Sequence, residues 1–510
     1  MPSSSLNTSP VTARQSWCIW LGVFLVLASL YAFTAQRGCS WGDHGEFQWR
    51  VVKGEYIGSE GLCTSHPLYI FLGRLWLAVC PLPDAAWSLN VFSGLGVALV
   101  MANLSLILLQ LTRDVTISIL TVLMLAVSHT PWWLATLAEV HPWSVVGLTL
   151  ELLLLLRLIA CPRWTTAGVL MLVNGLGINI HNFALLPLPV YGSFLLWYGF
   201  RRIFAWRQVA LACLGWVLGA APLLAIVASH ALQQHSLVAA VKDALVGPWG
   251  PQVFGWRLGR LTLLTNAVLV GMNFLGVLLP LALVGVWGLR RLRAELAVAL
   301  GAITALHVLF VVRYNIADLY TFMLPTLVMT AVCAAHGAAL LAQRSPGLRR
   351  AVLGGLAFSI LLLPSACRSL PRLLQRVSAP YALTADFRYP CRDELTYFIQ
   401  PWKHHERSAV VFAREAFRTA APDGLIVADG VTTLSPLLAL QATQPGLDRV
   451  EVRLFDKADP GMVNLLTQHA ARRVFVVRPM LIKYISPQAE ITPAGVLHQV
   501  RLKQPVPQAG

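Results

Sequence analysis

Long apolar blocks without charge are the feature that most limits what this chain can fold into. Residues 86–111, 115–138 and 261–289 contain no Asp, Glu, Lys or Arg. A helix needs about 20 apolar residues to cross a bilayer, so each block is long enough to span a membrane. Apolar segments recur near 16–34, 86–111, 115–136, 142–160, 164–181, 183–200, 208–229, 261–289, 294–312, 319–343 and 351–366. Since no soluble core buries so many, the sequence predicts a polytopic α-helical membrane protein with about 11 transmembrane helices.

The distribution of basic residues predicts how these spans are oriented. The formal net charge of +16 would favour nucleic acid as a partner if the basic residues formed one surface. Instead they form short clusters between apolar blocks, so we exclude nucleic acid. The clusters are Arg113; Arg157 and Arg163; Arg201, Arg202 and Arg207; Arg290, Arg291 and Arg293; and Arg344, Arg349 and Arg350. The positive-inside rule then predicts a cytoplasmic N-terminus, with the first long loop and the C-terminal region on the outer side.

Composition divides the chain into three parts. Residues 1–15 are polar and are predicted to be a cytoplasmic tail, whereas residues 16–366 hold the apolar segments and a first outward loop at 35–85. From 367 to 510 the apolar stretches shorten to strand length. The predicted strands are Leu425–Ala428, Val450–Leu454 and Val474–Val477, and the predicted helices are Ser408–Ala420, Thr433–Gln441 and Gly461–His469. This alternation predicts a small, outward-facing parallel α/β domain.

Four of the nine cysteines are expected on the outer side, where a disulfide would be stable. They are Cys39, Cys63, Cys367 and Cys391. A bridge between Cys39 and Cys63 would hold the first loop rigid. Four cysteines allow three pairings, and free thiols are the alternative, so the sequence leaves the pairing open.

An acidic turn follows the first apolar segment directly. It reads Trp41-Gly42-Asp43-His44-Gly45-Glu46-Phe47, with two carboxylates and an imidazole in four consecutive positions. Paired acids serve as a general base with its partner, or hold a cation. A solvated turn at the membrane interface is the alternative interpretation of the same residues.

Further polar motifs appear at the predicted outer ends of later segments. They are Ser65-His66-Pro67, Gly73-Arg74-Leu75, Ala138-Glu139-Val140-His141, His181-Asn182, Arg313-Tyr314 with Asp318, and, in the last quarter, Pro422-Asp423-Gly424 with Asp429-Gly430. In this order the motifs resemble those of the glycosyltransferase-C (GT-C) superfamily, in the group that includes the protein O-mannosyltransferases and their bacterial relatives. Two positions depart from the usual pattern: His44 stands where a Ser or Thr is usual, and Ser65-His66-Pro67 replaces a longer proline-rich run.

The resemblance implies a fold, a reaction and its partners. A GT-C enzyme takes a sugar from a polyprenyl-phosphate donor held by membrane lipids and transfers it, with inversion, to a hydroxyl group of a protein or of an envelope glycan. It implies that Asp43 is the general base and that Glu46 orients the acceptor or tunes the pKa of Asp43. No cofactor is expected, although the sequence leaves open a divalent metal at Asp43 and Glu46.

The remaining site candidates would bind the donor phosphate or the substrate. Arg313 is the first candidate for the phosphate, because arginine binds phosphate bidentately, and Arg74, His66 and His181 follow. The other candidates are Glu139, His141, Tyr314 and Asp318. The alternatives are a snorkelling anchor for Arg313 and ordinary helix-end residues for Glu139 and His181.

Glu151 lies in the middle of an apolar segment, where an ionisable side chain is costly and is expected to face the bundle interior with a partner.

Three classes of function remain. The leading hypothesis is a lipid-linked glycosyltransferase, with mannose as the expected sugar, in a bacterial plasma (inner) membrane. A transporter or flippase of lipid-linked envelope precursors is the alternative, and a non-catalytic assembly protein is the third class.

Overall fold

The computed structural model describes residues 12–255, 259–314, 316, 318–377, 389–455, 472–477 and 489–503. The predicted helix 461–469 and most of the predicted tail 1–15 therefore lie outside the described residues. The first helix begins at Ala13, and the side chain of Thr12 caps it by accepting a hydrogen bond from the backbone N–H of Gln15. Helix α1 thus begins three residues before the predicted start of the first apolar segment.

The described chain is mostly helical. Its helices are α1 (Ala13–Thr34), α2 (Gly42–Lys53), α3 (Pro67–Val79), α4 (Ala85–Thr112), α5 (Val115–Ala126), α6 (His129–Leu134), α7 (His141–Ala160), α8 (Trp164–Ile178), α9 (Leu188–Phe200), α10 (Trp206–Gln234), α11 (Leu237–Leu245), α12 (Gly250–Phe254), α13 (Arg260–Phe274), α14 (Leu278–Gly288), α15 (Ala294–Arg313), α16 (Leu324–Ala342), α17 (Pro346–Val377), α18 (Glu394–Ile399), α19 (Ser408–Ala420) and α20 (Val431–Thr443). The strands are β1 (Leu425–Ala428), β2 (Glu451–Leu454), β3 (Val474–Val476), β4 (Ala489–Ala494) and β5 (Leu497–Leu502).

The helices confirm the predicted class of a polytopic membrane protein. Within the described residues, eight helices are long and apolar enough to cross a bilayer, and a bent pair makes a ninth. Helices α5 and α8 are also apolar but have only 12 and 15 residues. Each of the eleven predicted segments thus overlaps an apolar helix or helix pair, but among the described residues eight or nine spans, instead of about 11, are long and apolar enough to cross a bilayer.

One predicted segment, 261–289, is broken instead of continuous. Its two parts, Asn266–Phe274 and Leu278–Arg291, are bent by 96°. Gly276 lies at the break with a φ of +134°, and a Cβ atom there would come within 2.2 Å of the Ser359 hydroxyl oxygen. The same hydroxyl accepts a hydrogen bond from the backbone N–H of Val277 at 3.2 Å. The break is therefore stabilised by a glycine conformation and a polar contact from α17.

The C-terminal sheet is mixed. Its order is β2-β1-β3-β5-β4, in which β1 pairs in parallel with β2 and β3, whereas β5 pairs antiparallel with β3 and β4. The three predicted strands and their parallel pairing agree with the sequence analysis. The β4–β5 hairpin was not predicted, because its strands carry polar residues and lack a strong apolar pattern.

The segment before the sheet packs against the membrane helices. The backbone N–H of Lys403 donates to the Thr34 carbonyl at the end of α1 at 2.8 Å, and the Thr136 hydroxyl donates to the Pro401 carbonyl at 2.8 Å. The Trp41 indole N–H donates to the Ser408 hydroxyl at 2.8 Å. These bonds place residues 389–408 directly beside the acidic turn at the start of α2.

Candidate functional site

A cavity of about 940 Å³ lies where the first loop, the ends of several apolar helices and the C-terminal segment meet. Eight of the ten predicted site residues line this cavity: Asp43, Glu46, His66, Glu139, His141, His181, Tyr314 and Asp318. They come from five separate parts of the sequence. The fold therefore brings motifs more than 270 residues apart to one cavity.

Helix α2 displays its functional residues with helical spacing. Asp43, Glu46, Phe47 and Arg50 are three or four residues apart, which places them on one face of the helix, and all four line the cavity. Gly45 lies on the opposite side, where a Cβ atom would be only 2.9 Å from the Ser435 Cβ of α20. Close packing of α2 on α20 thus fixes which face turns toward the cavity.

The acidic side of the cavity consists of Asp43, Glu139 and Asp318. Asp43 is exposed to the cavity, whose lining comes from the first loop, from several helix ends and from the C-terminal segment. Burial, followed by repulsion from Asp318, Glu46, Glu139 and Glu60, raises the pKa of Asp43 well above its usual range. Burial also raises the pKa of Asp318 to about 6, helped by Glu139. Asp43 and Asp318 therefore bind a proton more readily than isolated carboxylates do. This property suits a base that must take up a proton near neutral pH.

Glu139 is held rigidly between α4 and α7. One carboxylate oxygen accepts from the backbone N–H of Val140 at 2.8 Å, and the other lies 3.1 Å from His44 Nδ1. The Ser93 hydroxyl accepts from the Glu139 backbone N–H at 2.7 Å and donates to its carbonyl at 3.1 Å. Glu139 and His44 therefore form a fixed pair beside Asp43, and His44 has a structural partner that the sequence did not reveal.

Glu46 is balanced by a cation that sequence analysis missed. Arg50 Nη1 lies 3.4 Å from Glu46 Oε1, which also accepts from the Ser59 hydroxyl at 3.0 Å. Arg50 is only 1% exposed and donates to the carbonyls of Thr64 at 2.8 Å and Ser65 at 2.6 Å. The spacing of four residues between Glu46 and Arg50 could have predicted this ion pair, because such residues are neighbours on one face of a helix. Arg50 ties the returning loop to α2, and Glu46 helps to hold it.

The histidine side of the cavity consists of His66, His141 and His181. The rings of His66 and His181 are stacked with their centroids 5.4 Å apart, and His141 lies 4.6 Å from His181. The Phe183 and Phe322 rings contact this group edge-on. His66 adopts a left-handed backbone conformation, with φ of 51°, and its Nδ1 lies 2.7 Å from the Ile180 carbonyl. Three separate segments thus bring their histidines together.

Two predicted phosphate ligands, Arg74 and Arg313, are not among the residues that line the cavity. Arg74 is exposed, with Nη1 3.5 Å from the Val51 carbonyl oxygen. Arg313 Nη1 donates to the Gly255 carbonyl at 3.3 Å, and its guanidinium stands over the Phe310 ring. Their role in phosphate binding stays a prediction that this geometry does not favour, because both are already committed elsewhere.

The C-terminal segment contributes a second unexpected arginine to the cavity. Arg392 forms two hydrogen bonds with Glu394, at 2.9 and 2.6 Å, and lies over the rings of Tyr389 and Tyr397 at 4.2 and 4.4 Å. Among the described residues, Arg50 and Arg392 are the two arginines of the cavity lining, and no lysine lines it. Both are paired with a carboxylate, so neither offers an uncompensated positive charge.

Neither a disulfide nor a metal-binding group is part of the described site. All nine cysteines are free thiols, with Cys39 buried and Cys63 on the cavity wall. Burial, together with the charges of Asp243 and Glu60, raises the pKa of the Cys63 thiol to about 11. In the described ranges, no group of three or more His, Cys, Asp or Glu side chains is arranged to hold a metal ion.

Glu151 lies apart from the large cavity. Its carboxylate is buried between α7, α8 and α9, where it accepts from the Tyr191 hydroxyl at 2.9 Å and from the Asn174 amide at 3.2 Å. The Trp216 indole N–H donates to the amide oxygen of Asn174 at 3.0 Å. This network satisfies an ionisable group in the middle of the bundle and gives Glu151 a structural explanation.

Comparisons with known proteins find the fold but no close relative. No protein-family model matches the sequence, and no curated protein matches it. Among solved structures, the chain is similar to ArnT from Cupriavidus metallidurans bound to undecaprenyl phosphate, with 13% identity, a TM-score of 0.60, and coverage of 96% of this chain and 98% of ArnT. The apo state of ArnT gives 12% identity, the same coverage and a TM-score of 0.56. The chain therefore shares the fold of ArnT over nearly its whole length.

Proposed function

We propose that this chain is a membrane glycosyltransferase that moves a sugar from a polyprenyl-phosphate donor to a hydroxyl group. The observation that carries the proposal is the position of Asp43. Its side chain lines a cavity of about 940 Å³ among other acids, in a chain whose fold matches a protein solved with undecaprenyl phosphate bound. A carboxylate with a raised pKa, in a space large enough for a sugar and an acceptor, is suited to general-base catalysis.

The proposed reaction uses the acidic side of the cavity. Asp43 takes the proton of the acceptor hydroxyl as its oxygen attacks the anomeric carbon from the face opposite the phosphate. The bond between that carbon and the phosphate oxygen breaks, the sugar is inverted, and the polyprenyl phosphate leaves with the bonding electrons. Glu139, fixed by His44 and Val140, and Asp318 keep the pKa of Asp43 high enough for it to accept the proton.

The lining contains both apolar and polar side chains. Leu185, Leu186, Val253 and Phe254 are among the apolar ones, whereas Arg392 and Glu394 come from the C-terminal segment. We propose that the polyprenyl chain enters along the apolar lining and that the acceptor approaches from the C-terminal side. Mannose is the proposed sugar, with a protein or envelope glycan as acceptor, at the outer face of a bacterial plasma membrane.

The direct test is transfer by the purified full-length protein in lipid nanodiscs. Polyprenyl-phosphate sugars with a radiolabelled sugar, mannose first, are incubated with hydroxyl-bearing peptide and glycan acceptors. We expect labelled product from the wild type and loss of product from Asp43→Asn. Asp448→Asn, at an exposed position outside the cavity lining, is the matched control and should keep full activity. Equal activity in Asp43→Asn would refute Asp43 as the base.

A transporter of lipid-linked precursors is the second candidate, favoured by the bent pair Asn266–Phe274 and Leu278–Arg291. In proteoliposomes, a transporter moves the labelled lipid between leaflets without cleaving the bond between sugar and phosphate. Movement of intact donor without product would favour the transporter over the transferase.

A further inference from the structure

The three imidazoles of the histidine side have defined hydrogen-bonding roles. The backbone N–H of Phe183 donates to His181 Nδ1 at 3.1 Å, so the proton of the neutral ring is on Nε2. His66 Nδ1 lies 2.7 Å from the Ile180 carbonyl oxygen, which only accepts, so Nδ1 carries the proton and Nε2 holds a lone pair. One ring therefore presents a donor and the other a site that can take up a proton.

His141 completes the group with an unsatisfied atom. Its side chain lines the cavity, is only 4% exposed, and its Nδ1 has no hydrogen-bond partner in the described part of the chain. Buried polar atoms in native structures nearly always have a partner, so this nitrogen leaves His141 with unused hydrogen-bonding capacity next to the other two rings. The ring centroids of Phe183 and Phe322 lie 5.6 and 4.6 Å from that of His141.

Burial, and not pairing with an acid, sets the protonation of these rings when no ligand is bound. The titratable groups near this side come from several elements. Asp43, His44, Glu46 and Arg50 of α2 line the cavity, as do Glu139 before α7 and Asp318 before α16. His307 of α15 contacts the Phe183 ring. Of these acids, none forms an ion pair with the three histidines in the described structure. Burial, His181 and Arg50 hold the pKa of His66 well below its usual range, and burial lowers the pKa of His181 to about 4.

We propose that His66, His141 and His181 form the subsite for the phosphate group of the lipid donor, and that this subsite takes up one proton when the phosphate binds. The inference rests on the proposed function and names the part of the cavity that recognises the donor. His181 Nε2–H donates to a phosphate oxygen, and the negative charge makes protonation of His66 Nε2 favourable. Because the stacked rings are 5.4 Å apart, a second positive charge is disfavoured, so the cluster gains one proton.

The proton then has a use in the reaction. Cleavage of the bond between the anomeric carbon and the phosphate oxygen leaves a phosphate monoester with two negative charges. The protonated His66 gives its proton to a phosphate oxygen, which leaves a monoanionic ester and a neutral imidazole. Asp43 meanwhile holds the proton of the acceptor hydroxyl, so two protons move and charge is conserved. The histidine side thus replaces the arginines expected from the sequence, which the fold places outside the cavity.

The experiment measures binding instead of turnover. Undecaprenyl phosphate is titrated into the full-length protein by calorimetry at pH 7, in buffers with different ionisation enthalpies, and the dependence of heat on buffer gives the protons taken up. We expect about one proton per lipid bound at pH 7, and affinity that falls about tenfold per pH unit between the pKa of His66 in the free protein and its higher pKa in the complex. Binding without proton uptake would overturn the proposal.

A matched pair of variants tests the assignment to His66. Asparagine tolerates the left-handed backbone at this position, and its amide can donate to the Ile180 carbonyl, so His66→Asn keeps the loop in place. We expect this variant to lose proton uptake and at least about tenfold in affinity at pH 7. His235→Asn makes the same change at an exposed residue with φ of 53° outside the cavity, and should change neither quantity.

The outcomes separate this inference from the proposed function. If His66→Asn binds lipid with the same affinity and the same proton uptake, the phosphate subsite is elsewhere, while the role of Asp43 is unaffected. If the wild type does not bind undecaprenyl phosphate at all, both fail. Should His66→Asn not fold, proton uptake by the wild type still decides, because its absence alone contradicts the proposal.

Discussion

The acidic side and the histidine side of the cavity shift the pKa values of their side chains in opposite directions. On the acidic side, burial and then neighbouring carboxylates raise the pKa of Asp43, so that it binds a proton readily. On the histidine side, burial lowers the pKa of His181, and burial with the charges of His181 and Arg50 lowers the pKa of His66, so both rings favour the neutral form. One cavity can therefore hold both a base and an anion site, because acids placed beside acids have raised pKa values and buried imidazoles placed together have lowered ones.

The largest expected effect is on the acidic side. Asp43→Asn removes the proposed base and should lower kcat/KM by about 10³-fold, within the range for loss of general-base catalysis. Binding of undecaprenyl phosphate should change less than about threefold, because the phosphate lies on the histidine side. Comparing radiolabelled transfer with lipid binding in the same preparation checks both. If lipid binding falls together with activity, the two sides are not separate in function.

The second-largest effect is expected at Arg50, which connects α2 to the loop that ends at His66. Arg50→Lys cannot reproduce the donations to Thr64 and Ser65 while also pairing with Glu46, because an ammonium lacks the fork of the guanidinium. We expect a loss of about 2–4 kcal/mol in the free energy of unfolding and a lower midpoint of thermal unfolding. Arg74→Lys, at an exposed position, is the control. Equal midpoints for both variants would contradict the structural role of Arg50.

A third effect is a shift in pH dependence. Repulsion from Asp318 raises the pKa of Asp43, so removing that charge with Asp318→Asn should lower it. A base works only when deprotonated, so activity rises with pH through the pKa of Asp43. The acidic limb of the profile of kcat/KM should therefore move to lower pH by about one unit in the variant. A limb that stays in place, or moves to higher pH, would show that the two acids are not coupled.

The smallest effects are expected at the two arginines that the sequence favoured. Arg74→Gln and Arg313→Gln should each change the affinity for undecaprenyl phosphate less than about threefold, whereas His66→Asn should change it at least about tenfold. Binding titrations at pH 7 compare the three variants directly. A larger loss in Arg313→Gln than in His66→Asn would return the phosphate to the position predicted from the sequence.

The sequence predicted features that depend on local pattern. The apolar segments follow from hydropathy, and the strand Leu425–Ala428 and the helix Ser408–Ala420 have the same bounds in the structure as in the prediction. The acidic turn was found because Asp43 and Glu46 are close along the chain. Local patterns succeed here because burial in lipid, or in a parallel sheet, requires an apolar composition that is visible in a single segment.

The sequence could not show contacts that depend on packing between distant segments. The stacking of His66 on His181 requires a left-handed residue and a carbonyl 114 positions away. Arg392 reaches the cavity only because residues 389–408 dock on α1 and α6. The bend at Gly276 depends on the Ser359 hydroxyl in another helix. In each case the determining interaction joins residues with no shared local pattern.

The most direct test of one cavity with a base on one side and a phosphate subsite on the other is an experimental structure of Asp43→Asn with undecaprenyl phosphate bound. We expect phosphate oxygens within about 3 Å of His66 Nε2 and His181 Nε2, with the polyprenyl chain along Leu185, Leu186 and Phe254. A phosphate bound instead at Arg313 or Arg74, or outside the cavity that contains residue 43, would contradict this arrangement.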